Sequence, residues 1–117
     1  MAFIQADFQD GRDAQLIKRA KIDAASSGDN TLVAAVAGKK IRVLAAFFTM
    51  TGTAVTIRFE DGAGGTALTG QMGPTAGQTI VLPFNPVGWF ETSDATLLNM
   101  ELSGWQSVDG ALVYIEA

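Results

Sequence analysis

Thr53-Ala-Val-Thr-Ile-Arg-Phe-Glu-Asp61 alternates apolar and polar residues without a break. Val55, Ile57 and Phe59 fall on one side and Thr56, Arg58 and Glu60 on the other. A period of two marks a β-strand with one buried and one wetter face. Working backwards, Gly52 precedes this run, and before it Lys40-Ile-Arg-Val-Leu-Ala-Ala-Phe-Phe-Thr-Met50 is rich in β-branched and aromatic residues. Here both faces are apolar: Val43, Ala45 and Phe47 on one, Leu44, Ala46 and Phe48 on the other. A strand apolar on both faces needs cover on both. Met50-Thr-Gly-Thr53 reads as a hairpin turn between the two runs.

Further strands are expected on either side. Ala20–Ala25 and Thr31–Val36 flank a Ser26-Ser-Gly-Asp-Asn30 turn. Gln78–Phe84, Gly88–Thr92, Thr96–Leu102 and Ala111–Glu116 follow, the last after a turn at Val108-Asp-Gly110. About eight short strands at this spacing, with no sustained helical period, predict an all-β, antiparallel, jelly-roll-like β-sandwich over residues 20–117. Residues 1–19 differ. Phe3, Ile4 and Phe8 are set among Asp7, Asp10, Arg12 and Asp13, with a possible helical turn near Arg12–Arg19. Such a segment cannot build a core alone, and is expected to be either an N-terminal arm or a frayed terminus.

Composition narrows the chemistry. The chain has 117 residues, 48% of them apolar and 17% charged, with net charge −4 and neither cysteine nor histidine. The length fits one domain. The sparse charge suggests either a surface covered by another subunit or a monomer rich in small residues. Without cysteine there is no disulfide framework, and without histidine the commonest general base and transition-metal ligand are missing. Lys18, Arg19 and Lys21, like Lys39, Lys40 and Arg42, read as solvated strand edges. No cofactor, metal, nucleic-acid or membrane partner is expected. The apolar runs are too short to span a bilayer, and the N-terminal residues do not resemble an export signal.

Several motifs have plainer readings. Gly62-Ala-Gly-Gly-Thr-Ala67 has the letters of a dinucleotide fingerprint, but Leu68-Thr-Gly-Gln-Met-Gly-Pro74 after it cannot form the required helix. Six of the thirteen glycines lie between Gly62 and Gly77. That marks a long connection, with Thr66–Leu68 as a brief edge strand and Met72 and Pro74 as distal contacts. Asp7, Asp10 and Asp13 lack calcium-loop spacing. Glu60, Asp61, Glu91 and Glu101 could supply a glycosidase pair, with nothing to select one. Trp89, Trp105 and Tyr114 could form a sugar-stacking platform, or Trp89-Phe90 could serve the core or an interface. No enzymatic activity is expected.

The corner Val81-Leu-Pro-Phe-Asn-Pro-Val-Gly-Trp-Phe90 combines a proline that ends or edges a strand with a turn and a glycine-assisted redirection. It is expected to carry the chain from one sheet to the other. Leu44, Phe48, Trp89 and Phe90 are the residues expected at a subunit interface. Together with Lys40–Phe48, Val55–Phe59, Thr66–Gly70, Leu98–Ser103 and Gly110–Glu116, this corner resembles a family of small structural proteins of tailed bacteriophages, over residues 39–117. The resemblance implies a β-sandwich virion component on the capsid exterior. It suggests a head decoration (cement) protein that binds the major capsid protein as a homotrimer, with Phe3, Ile4 and Phe8 on a capsid-binding arm. A tail or fibre component, or a carbohydrate-binding module, is the alternative.

Overall fold

A computed structural model describes residues 7–10, 13–52 and 55–117, with side chains from Leu16 onward. Eleven strands are present among these residues, and every pairing between them is antiparallel. They are β1 (Asp7–Asp10), β2 (Asp13–Leu16), β3 (Lys18–Ala24), β4 (Gly28–Val33), β5 (Ile41–Thr51), β6 (Ile57–Asp61), β7 (Thr66–Ala67), β8 (Thr79–Leu82), β9 (Phe90–Glu91), β10 (Leu98–Leu102) and β11 (Ser107–Glu116). One sheet has the order β4-β10-β6-β7. The other runs β3-β11-β5-β8, with β9 also on β5, and β1 and β2 form a separate hairpin. The all-β, sandwich-like expectation holds. Phe3 and Ile4 lie outside the described residues, as does the side chain of Phe8. The stretch expected to hold a helical turn supplies β2 and the start of β3.

The inner faces meet in one apolar core. Ile22, Ile41, Val43, Phe48, Met50, Val108 and Leu112 from the five-stranded sheet are buried in it, as are Ile57, Phe59, Leu98, Met100 and Leu102 from the four-stranded one. Phe48 and Phe59 meet edge to face across the sheets at 5.7 Å, and Phe59 touches Phe90 at 4.7 Å. Aromatic pairs at such distances gain about 0.5–1.5 kcal/mol beyond their buried area.

The turn expected at Ser26–Asn30 and the hairpin turn expected at Met50–Thr53 both join strands of different sheets. β3 and β4 lie in different sheets, and so do β5 and β6. Gly28 and Gly52, both at positive φ, serve connections that cross between layers. The turn expected at Val108–Gly110 is strand. A Cβ on Gly110 would stand 1.9 Å from the Phe47 carbonyl oxygen, so glycine here lets β11 approach β5 closely. The chain turns earlier, at Ser103–Trp105.

The proline corner also behaves differently. β8 pairs with Ala46–Thr49 and β9 with Arg42–Val43, both along the same edge of β5. Residues 83–89 are therefore a detour from one edge strand, not a passage between sheets. The Asn85 and Trp89 amides donate to the carbonyls of Leu44 (2.8 Å) and Val43 (2.8 Å). The detour faces a bulge: Val113 pairs with Ala45 and Tyr114 with Val43, which leaves Leu44 unmatched. An extra residue reverses side-chain parity. Val43 lies in the core and so do Ala46, Phe48 and Met50, so the inward positions of β5 change from odd to even across Leu44.

Candidate assembly surface

The bulge decides which residues of β5 can meet a partner. Leu44 and Phe48, expected at an interface, are 0% and 1% exposed, so neither is open to a partner. Phe47 takes the outward place and is 53% exposed. Phe90 is half-buried against Phe59, while Trp89 is exposed, with its indole Nε1 donating to the Pro83 carbonyl at 2.7 Å.

Pairing register defines two outward rows on the five-stranded sheet. In one, Lys21 lies opposite Ala111, Ala111 opposite Phe47, and Phe47 opposite Val81. In the other, Arg19 lies opposite Val113 and Val113 opposite Ala45. Small side chains at Ala45 and Ala111, between larger Phe47, Val81 and Phe84, leave a groove of about 370 Å³ across the strands, with Arg19 at its β3 end. Val81 is 62% exposed, Phe84 is exposed beside it, and Val87 in the detour is exposed outside the groove. Contiguous exposed apolar surface of this kind marks contact sites on soluble proteins.

The distal contacts lie elsewhere than expected. Met72 exchanges backbone hydrogen bonds with Ile57 (2.8 Å each way) and packs against the core, and Pro74 is buried. Neither stands at a free loop tip. The glycine-rich Gly62–Gly65 segment is the β6–β7 turn, with no helix after it. A Cβ on Gly65 would meet the Asp61 carbonyl oxygen at 1.8 Å.

Of the four candidate carboxylates, the fold gathers Glu60 and Glu101. Arg58 holds both, its Nε 2.7 Å from Glu60 and its Nη2 2.9 Å from Glu101. Asn99, fully buried, donates from Nδ2 to Glu60 (2.9 Å) and Asp29 (2.9 Å) and accepts from the Asn30 amide (2.8 Å). The Gly64 amide also reaches Asp29, at 3.1 Å. The hydrogen bond to Glu60 raises the Glu101 pKa above the ordinary carboxylate value, with partial burial adding to it. Burial pushes Glu60 upward, but bonds from Glu101, Arg58 and Asn99 outweigh it and hold that carboxyl below its ordinary value. Of the two, Glu101 therefore takes up a proton the more readily. The adjoining hollow of about 50 Å³ is far below the size of ordinary ligand pockets. Asp61 accepts from the Ser93 amide and hydroxyl, and Glu91 pairs with Arg42 at 2.8 Å.

The three aromatic rings proposed for a sugar platform are not gathered. Trp89 joins Val43 near one end of β5, whereas Trp105 precedes Ser107, which pairs with Thr51 at the other. Eight residues of strand separate those ends, on the order of 25 Å.

Sequence reasoning placed Arg19 on a solvated strand edge but missed Phe47 and Val81 as surface residues. Nothing in the sequence locates the bulge that sends Phe47 outward and Phe48 inward. Comparison with protein-family models, curated proteins and solved structures gives no match.

Proposed function

We propose that this chain is a structural protein of a tailed-phage virion, a head decoration protein that binds the major capsid protein lattice as a homotrimer. In this reading the body is a jelly-roll-like sandwich on the capsid exterior, and residues 1–19 are the arm that reaches across to a capsid subunit or a sister chain. The observation that carries it is the open apolar face of the five-stranded sheet, with Phe47, Val81 and Phe84 exposed around the alanine-floored groove. Burying a large apolar side chain contributes about 1.5–3 kcal/mol. A few such residues per chain are enough to hold copies together. The sequence resemblance over residues 39–117 supplies the phage context.

The test is cosedimentation with expanded empty heads, combined with light scattering of the free protein. A trimer mass and saturable head binding are expected. A monomer that ignores heads would overturn the reading. A tail or fibre component would use the same surface, and would give a trimer that binds tails and not heads.

A further inference from the structure

The groove on the five-stranded sheet crosses the strands, so it does not suit a segment that adds to a sheet edge. From β3 to β8 are three strand spacings, about 14 Å. That length accommodates about four residues of extended chain. Its lining is apolar at the β5–β8 end, where Phe47, Val81 and Phe84 stand, and cationic at the β3 end. There Arg19 is exposed and has no ion-pair partner among the described residues, while neighbouring Lys18 is already taken by Glu116 at 3.2 Å. The fitting occupant has a large apolar side chain at one end and a carboxylate about four residues away.

The chain itself contains such a segment. Ala2-Phe-Ile-Gln-Ala-Asp7 places Phe3 four residues before Asp7, a span of about 13 Å when extended. We propose that the groove receives residues 2–7 of a second copy, with Phe3 against Phe47 and Val81 and Asp7 against Arg19. Within one chain, β1 holds Asp7 opposite Leu16, three residues short of Arg19 and displaced by about 10 Å along the strand. A neighbouring copy carries no such offset. This inference rests on the self-association reading above. It adds that each copy's outer face is completed by its neighbour's first residues.

The native chain lacks cysteine, which allows a clean cross-linking test. A chain carrying Ala2→Cys is mixed with one carrying Val81→Cys and oxidised, and Ala63→Cys in the β6–β7 turn of the other sheet replaces Val81→Cys as control. A shift to a disulfide-linked pair of chains is expected for Val81→Cys and not for Ala63→Cys, with several-fold loss when Arg19→Glu is added to the Val81→Cys chain. An intramolecular disulfide at monomer mass in the double variant, with none in the mixture, would overturn the proposal in favour of the chain's own segment. A trimer by light scattering without the cross-link would overturn it while leaving the assembly reading standing. A monomer without the cross-link would remove both.

Discussion

The two sheets treat their outward side chains in opposite ways. On the four-stranded sheet, Asn99 and Glu60 occupy outward positions yet are sealed from water, bonded to each other, Glu60 also to Arg58 and Asn99 also to Asp29 and Asn30. On the five-stranded sheet, Phe47 and Val81 occupy equivalent positions and stay open. Polar groups of one chain can satisfy one another, because donors and acceptors pair within hydrogen-bonding distance. Apolar surface has no such remedy and is relieved only by cover. The first face is finished within a single copy, and the second is the one a partner can complete.

The sharpest way to break this contrast is to truncate adjacent residues of β5. Phe48→Ala empties a core position against Phe59, and is expected to cost about 3–5 kcal/mol in urea unfolding. Phe47→Ala, one residue away on the open face, is expected to change monomer stability by only about 0.5 kcal/mol, while lowering the trimer fraction seen by light scattering. Equal losses from the two would mean that the parity reversal at Leu44 is absent.

On the other sheet, Asn99→Ala is expected to cost about 2–3 kcal/mol, because it leaves the buried Glu60 carboxylate and the Asn30 amide each short of a partner. The loss should be independent of protein concentration, since that face needs no second copy. A neutral result would show that water can take the place of Asn99.

How far the sequence reveals this fold depends on where side-chain parity holds. The alternation of Ile57 and Phe59 with Arg58 and Glu60 reads directly as strand, and β6 has that pattern. Leu98, Met100 and Leu102 likewise face inward. Parity fails at Leu44, where a bulge adds one residue, so every later side chain of β5 changes sides relative to Val43. Connections are equally opaque. Ser26–Asn30 looks like a turn and the residues around Gly52 like a hairpin turn, but they carry the chain between sheets, because long-range pairing of β11 with both β3 and β5 decides the topology. At Gly110 the glycine reads as a turn former and acts as a spacer under the Phe47 carbonyl. The groove inherits all of this. Its floor and walls come from four strands whose register no local pattern encodes.

The smallest expected effect concerns the protonation of Glu60 and Glu101. The fold favours protonated Glu101, whose pKa is raised chiefly by its hydrogen bond to Glu60. Its stabilising contribution is therefore complete below the ordinary carboxylate pKa and is lost as pH rises through the raised folded value. Glu60 behaves in the opposite sense. Burial alone would raise its pKa, but the bonds from Glu101, Arg58 and Asn99 leave it lowered, so its contribution is present above the ordinary value and lost as pH falls through the folded one. Glu101→Gln keeps a hydrogen-bond donor at the site without a titrating proton. Its thermal midpoint should stay level just above the ordinary carboxylate range, where the parent chain declines, while the acid-side loss set by Glu60 persists. The Glu101 side chain is 36% exposed, so solvent screening keeps the effect below those of Phe48→Ala and Asn99→Ala. If Glu101→Gln declines over the same upper interval as the parent, the proton is not held between these two carboxyls, and Arg58 alone joins them.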